Sequence, residues 1–164
     1  MDERIAVRSL MDAAPYSIGE DESVLMAWEV MERSEQRQLP VVRGDGCCAG
    51  VLDRAELAVA CAAAAVTLSR RTVRELVHAR RTVTVHPEES MLRAAAVMTE
   101  ERLDALPVTD PRGRLVGLLT ARDYVAAAAG LRTCSETVSR SPERATLDGL
   151  PPRHAPQARG IPIP

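Results

Sequence analysis

The sequence predicts an α+β fold in which a strand–helix–strand–strand–helix unit is made twice. Three observations carry that expectation. First, landmarks recur at one interval: Ser23 and Ser90, Met31 and Met98, Pro40 and Pro107, and Gly50 and Gly117 are each 67 residues apart. A constant spacing held by several residue types marks an internal repeat. Second, an apolar run with a glycine inside it, residues 115–119, leads straight into Thr120-Ala121-Arg122-Asp123 and the alanine-rich stretch 124–129. That is a buried strand feeding a helix, with Thr120 as its N-cap. Residues 46–57 repeat the pattern. Third, Val24, Ala27, Trp28 and Met31, and again Met91, Ala94, Ala95 and Met98, follow the i, i+3, i+4, i+7 spacing of one helix face. These stripes read as core.

The elements follow in order. Ile5, Val7, Leu10 and Met11 form a short apolar lead-in, and its Val7-Arg8-Ser9-Leu10 returns as Val73-Arg74-Glu75-Leu76. Each lead-in is expected to be a helical turn docking on the neighbouring half. A strand comes next. Thr82-Val83-Thr84-Val85 is a clear β-branched run ended by Pro87, and Tyr16-Ser17-Ile18 is its weaker counterpart. A helix then starts after Ser23 or Ser90. Leu39-Pro40-Val41-Val42 and Leu106-Pro107-Val108-Thr109 read as strands with Pro near the start, where its missing N–H is tolerated. Asp110-Pro111-Arg112-Gly113 has the residues of a type I turn, and Arg43-Gly44-Asp45-Gly46 is its counterpart, so each repeat contains a hairpin. Residues 62–72 are expected to finish the first closing helix and cross to repeat 2. The boundaries are thus 5–66 for repeat 1 and 67–131 for repeat 2. Residues 132–164 carry Pro142, Pro151, Pro152, Pro156, Pro162 and Pro164 with few large apolar residues, and read as a disordered Pro/Arg-rich tail. Partner binding is the other role open to it.

Composition bounds function. Net charge is −2 with every basic residue an Arg, a balance that gives no support to nucleic-acid or anionic-membrane binding. The start, Met1-Asp2-Glu3-Arg4, lacks the apolar core of a signal peptide. The longest apolar run, residues 57–66, is far short of the roughly 20 residues that cross a bilayer. A cytoplasmic chain is expected. Cys47, Cys48, Cys61 and Cys134 fit no zinc spacing and read as reduced, small core residues. The histidines, His78, His86 and His154, form no Cys-His or metal-ligand pattern, and no phosphate-cradling glycine loop occurs. No catalytic residues, metal site or required cofactor are expected.

The order Ser-capped helix, Leu-Pro-Val, turn, then apolar-Gly-apolar-apolar-Thr-x-x-Asp resembles the cystathionine β-synthase (CBS) domain family, and two copies in tandem resemble a Bateman module. The likeness covers residues 5–131, and a stand-alone pair is expected. It implies a pseudo-two-fold pair of repeats packed sheet to sheet, ligand clefts between the halves, and frequent pairing into a homodimer. The family's usual ligands are adenine nucleotides, less often S-adenosylmethionine, and its modules sense a ligand and reshape a partner rather than catalyse.

The resemblance also implies site residues. Asp123 takes the position that binds ribose hydroxyls and Thr120 the one that binds phosphate. Thr82, Val83, Leu106 and Pro107 match positions that flank the adenine. The chemistry agrees: a carboxylate accepts bonds from vicinal hydroxyls, and a helix start offers a phosphate free N–H groups. Arg122 lies between them and offers a charge-assisted contact. Repeat 1 departs from this pattern, with Asp53 for Thr and Glu56 for Asp. A carboxylate at the phosphate position repels by about 1 kcal/mol even at water-like dielectric. Nucleotide is therefore expected mainly in the repeat 2 cleft. Both motifs also read as capping boxes, and for Asp123 and Glu56 that structural role stands beside the ligand role. A second function stays open as well: a structural protein–protein interaction module that has lost ligand binding.

Overall fold

The computed structural model describes residues 5–62, 65–131, 143–146 and 149–152. Repeat 1 contains β1 (Tyr16–Gly19), α1 (Val24–Ser34), the hairpin of β2 (Gln38–Val42) and β3 (Cys48–Asp53), and α2 (Arg54–Ala60). After α3 (Ala65–Arg70) and α4 (Arg74–Val77), repeat 2 contains α5 (Met91–Glu101), β4 (Ala105–Thr109), β5 (Leu115–Thr120) and α6 (Ala121–Ala128). A two-residue strand, β6 (Glu143–Arg144), comes last. The fold is α+β, as expected.

The repeats match in detail. Ser23 and Ser90 cap α1 and α5, each Oγ accepting an N–H three residues on, from Met26 at 3.1 Å and Arg93 at 3.2 Å. Both helices end on a left-handed residue, Glu35 (φ 59°) and Arg102 (φ 55°). In the hairpins Val41 faces Gly50 and Val108 faces Gly117, and both ladders shift register one step later. The Gly113 N–H closes the second turn on the Asp110 carbonyl at 2.9 Å. Asp110 Oδ1 accepts from the N–H groups of Arg112 (2.8 Å) and Arg114 (2.9 Å), which is why Asp suits the first turn position.

Each repeat has its own core, and each lead-in crosses to the other one. Val7, fully buried, packs with Val85, Ala94, Met98, Leu106, Val108 and Leu119 of repeat 2. Its N–H donates to the Glu89 carbonyl at 2.9 Å, and the Met91 N–H donates to Ile5 O at 2.9 Å. Val73, equally buried, joins Ile18, Val24, Leu39 and Leu57 in repeat 1, and its N–H bonds Glu22 O at 2.8 Å. The hairpin tips also meet. Cys48 N–H donates to Gly113 O (3.0 Å), Leu115 N–H to Gly46 O (3.2 Å), and Val42, Cys48 and Leu115 pack together there. Cys47, Cys48 and Cys61 are free thiols, and burial pushes that of Cys48 up to about 11. Cys134 lies outside the described residues.

Three expectations are corrected. The strong strand former 82–85 pairs only through Val85, which forms a parallel bridge to Val108, whereas weaker Tyr16–Gly19 is a full strand, parallel to β2 at Ile18 and Gly19 and to β6 at Tyr16 and Ser17. Tertiary bonds decide this. The Thr82 hydroxyl donates to Ala49 O of repeat 1 at 2.8 Å, drawing residue 82 away from β4. The Gln36 side-chain amide holds the start of β1 by accepting from Tyr16 N–H (2.7 Å) and donating to Tyr16 O (3.1 Å). The closing helix of repeat 1 ends at Ala60, and the separate α3 inserts Leu68, 5% exposed, into the first core. Of the α1 stripe, Val24, Ala27 and Met31 are buried but Trp28 is only half-buried.

The described residues of the C-terminal segment are docked. β6 lies parallel to β1 and extends its sheet to the order β3-β2-β1-β6. Ala145 and Leu150, each 6% exposed, join the repeat 1 core, and the Arg33 guanidinium donates to Leu150 O (2.8 Å) and Pro151 O (2.5 Å). Two apolar residues five apart show no periodicity, so the sequence alone offers no sign of this seat. Arg33→Ala should cost about 1–2 kcal/mol by removing two charge-assisted bonds. The expected readout is faster limited proteolysis of the 143–152 segment with repeat 2 unaffected.

Candidate functional site

Both closing helices begin at the end of a hairpin and carry a carboxylate in their first turn. In α2, Asp53 Oδ1 accepts from Ala55 N–H at 2.7 Å, and Glu56 Oε2 accepts from Asp53 N–H at 3.2 Å. Glu56 Oε1 also pairs with Arg80 at 2.5 Å. In α6, Asp123 Oδ2 accepts both the Thr120 N–H and the Thr120 hydroxyl, each at 2.7 Å. The Asp123 carboxylate therefore closes a capping box, while its Oδ1 takes no hydrogen bond among the described residues. Beside it, the Tyr124 hydroxyl donates to Met91 O at 2.8 Å. Burial, with the Asp123 charge adding, pushes this phenol up to about 12.

Besides one of about 250 Å³ at the hairpin tips, lined by Arg43 and Arg114, two cavities lie where the repeats meet. The larger, about 1100 Å³, is lined by Thr120, Ala121, Arg122, Asp123, Leu118 and Val125 from the end of β5 and the start of α6, with Asp104 just before β4. Repeat 1 supplies its other wall: Asp12, Trp28, Glu35, Gln36, Arg37, Gln38, and Asp53, Arg54, Ala55 and Ala58 at the α2 start. Arg54 lies over the Trp28 ring at 5.5 Å and pairs with Glu32. The smaller cavity, about 110 Å³, is lined by Gly50, Val51, Val77, Arg80, Arg81, Thr82, Val83, Leu103, Ala105 and Pro107.

The seven residues singled out from the sequence thus fall in three places. Thr120, Arg122 and Asp123 line the large cleft, and Thr82, Val83 and Pro107 line the small one. Leu106 is fully buried in the repeat 2 core. The lead-ins cause the division. Residues 77–83 run beside β3 of repeat 1, where the Val77 side chain would meet a Cβ on Gly50 at 3.3 Å, so Thr82 faces the Glu56 half rather than Asp123. Sequence reasoning missed the repeat 1 wall of the large cleft. One signal was present: Gln36 and Gln38 stand where repeat 2 has Leu103 and Ala105, polar residues in place of apolar ones. Among the described residues no group of three or more His, Cys, Asp or Glu side chains could hold a metal ion, and no helix is long and apolar enough to cross a membrane.

Comparison with known proteins fits this architecture. The CBS domain family model matches residues 7–63 and 73–130, and the chain belongs to that family. A homoserine O-acetyltransferase of Methanocorpusculum labreanum is 30% identical over 117 residues, 71% of this chain but 23% of that enzyme. This chain therefore spans under a quarter of the length of that relative. The CBS domain pair of protein MJ0100, solved with 5′-methylthioadenosine and S-adenosylmethionine, superposes with a TM-score of 0.66 at 22% identity, covering 77% of this chain and 97% of that one. The cytosolic domain of the Mg²⁺ channel MgtE, solved with ATP, gives a TM-score of 0.60 at 26% identity over 72% of this chain and 46% of that one.

Proposed function

We propose that this CBS pair is a regulatory, ligand-sensing module that binds an adenosyl ligand, an adenine nucleotide or S-adenosylmethionine, mainly in the Thr120–Arg122–Asp123 cleft and thereby alters a partner protein. The observation that carries the reading is the cleft itself, a cavity of about 1100 Å³ between the repeats with a helix-start carboxylate on its wall. Small-molecule sites commonly measure about 300–1000 Å³, so the large cleft of about 1100 Å³ has room for one and the cavity of about 110 Å³ does not. The unengaged Oδ1 of Asp123 is available to a ribose hydroxyl. The adenosyl ligands named in the MJ0100 and MgtE structures support the ligand class. The short match to the acetyltransferase supports a regulatory rather than catalytic role.

Ligand bridging the repeats acts on a partner only through its differential affinity for two arrangements of the module. A homodimer is part of the reading. Leu25 and Leu92, each 41% exposed, hold equivalent positions on α1 and α5, and Val59 and Val125 project from the two closing helices at 78% and 69% exposure. The matched Leu25 and Leu92 suit a two-fold interface.

The test is thermal unfolding of the intact chain with adenosyl compounds. A ligand at 100 times its Kd adds about 2.7 kcal/mol, which for a chain of this size raises the midpoint by several degrees. Asp123→Ala should abolish the rise. Glu56→Ala, which also breaks a capping box, should lower the basal midpoint by a similar amount yet keep the ligand effect. If the two variants respond alike, or no adenosyl compound stabilises the intact protein, the structural interaction module takes its place; the capping bonds on Asp123 Oδ2 are the observation that favours it.

A further inference from the structure

We propose that the hairpin tips carry a second binding site, for a small multivalent oxyanion of the phosphate class, independent of the adenosyl cleft. The place is the cavity of about 250 Å³ at the junction of the tips, lined by Arg43, Gly44 and Gly46 from the β2–β3 turn, by Arg114 just before β5 and by buried Ser17 of β1. The backbone fixes this geometry. Cys47 and Arg114 form an antiparallel bridge, flanked by the bonds from Cys48 N–H to Gly113 O and from Leu115 N–H to Gly46 O. Each repeat thus contributes one arginine, and the junction holds both at a single cavity.

The first observation is charge. The lining holds two guanidinium groups and no carboxylate, and neither Arg43 nor Arg114 forms an ion pair among the described residues. The other cavities differ. In the large cleft Arg37 and Arg122 share the wall with Asp12, Asp53, Asp104 and Asp123, and in the small one Arg80 is paired with Glu56. Two turn aspartates lie near the tips but outside the lining. Asp45 accepts from Cys47 N–H at 2.9 Å, and Asp110 from the N–H groups of Arg112 and Arg114, so each carboxylate is bonded to its own turn. Asp45 is close enough to feel Arg43, which offsets part of the field without filling the cavity. Burial and Asp45 push the Cys47 thiol up, while the charges of Arg114 and Arg43 both pull it down, so the two guanidinium groups act on one point. A doubly charged anion there relieves their mutual repulsion and accepts charge-assisted bonds from both.

The second observation is a backbone donor. Gly44 N–H donates no hydrogen bond among the described residues, and nothing stands within 4 Å of where a Cβ would sit on Gly44 or Gly46. An anion can therefore approach the backbone of this turn closely. Volume narrows the class. About 250 Å³ falls below the roughly 300–1000 Å³ of ordinary small-molecule sites, which suits phosphate or pyrophosphate rather than a whole nucleotide. The third observation is that the duplication does not make this site twice. At the interval of 67 residues Arg43 answers to Asp110 and Arg114 to Cys47, so the opposite side of the junction carries one carboxylate and one thiol. The paired arginines belong to one face of the tips only, and an anion bound by them ties repeat 1 to repeat 2 away from the Asp123 cleft.

Thermal unfolding of the intact chain in sodium phosphate and sodium pyrophosphate, against sodium chloride at equal ionic strength, tests this. Both oxyanions should raise the midpoint, pyrophosphate more than phosphate. Hydrogen exchange should slow at Cys48 and Leu115, whose N–H groups join the tips. Arg43→Gln and Arg114→Gln, both at exposed positions, should each weaken binding about tenfold through the loss of one charge-assisted bond. Arg112→Gln, an exposed arginine of the neighbouring turn outside the lining, should change it by about twofold at most, a screened effect. No gain over chloride overturns the site, and so does full binding in either Arg43→Gln or Arg114→Gln. Equal weakening in all three variants means a diffuse field and an adventitious ion only, which overturns it as well. A gain that is lost in Arg122→Gln but kept in Arg43→Gln moves the anion to the Asp123 cleft and overturns the assignment to the tips.

Discussion

Val7→Asp should destabilise the protein by about 3–5 kcal/mol, the cost of an uncompensated buried charge added to the lost apolar burial. Against a typical total of about 5–15 kcal/mol this is a large fraction, and the melting midpoint should fall by on the order of 10 °C. The residue belongs by sequence to repeat 1, but it is fully buried among Val85, Leu106 and Leu119 of repeat 2. The damage should therefore appear in repeat 2. Hydrogen exchange in the β4–β5 hairpin should accelerate before that in β2–β3. Arg8→Ala is the matched control. Its ion pair with Glu88 is exposed on both sides, and such a pair contributes about 0–1 kcal/mol. If Val7→Asp melts like the unaltered chain, or loosens repeat 1 alone, the crossed docking of the lead-ins is refuted.

That crossing also separates what was legible in the sequence from what was not. Local determinants read well. The serine caps, the hairpin turns and the paired glycines each act within a few residues, and the interval of 67 repeated them for comparison. The exchange of lead-ins was expected from their apolar pattern, but its consequence for the site was not. Two stretches of one repeat need not face one cavity when a third stretch, 77–83, lies along the other repeat. Thr82 accordingly lines a different cavity from Thr120. Propensity misled at 82–85 for a related reason: Tyr16 and Ser17 become strand by pairing with β6, whereas Thr82 spends its hydroxyl on Ala49 O of repeat 1. Trp28 fits the apolar helix stripe and packs against the repeat 1 core, but with Arg54 over its ring its other side forms cleft wall. Periodicity reports which face turns inward, not whether that face meets packed side chains or a cavity.

Gly117→Ala joins the fold to the site. A Cβ at this position would stand 2.7 Å from Met11 Sδ and 2.8 Å from the Asp12 carbonyl oxygen, closer than real carbon contacts. The methionine end can swing away. The carbonyl cannot, because Asp12 is tied to β5 in both directions, its N–H donating to Leu118 O at 2.9 Å and its O accepting from Leu118 N–H at 2.9 Å. Residues 11–12 must then lift off the strand. The expected cost is about 1–3 kcal/mol, seen as a lower denaturation midpoint with an unchanged slope. Lifting this segment also displaces the Asp12 carboxylate from the cleft wall, so adenosyl binding should weaken together with stability. At the equivalent Gly50 the approach is milder, with a Val77 side-chain carbon nearest at 3.3 Å, but there a φ of 156° strains any side chain instead. Because Gly117 needs space rather than a left-handed backbone, Gly117→Val should be worse than Gly117→Ala in proportion to added volume. A Gly117→Ala chain as stable as the original, with ligand binding intact, would mean that the glycine inside this strand serves neither the lead-in nor the cleft.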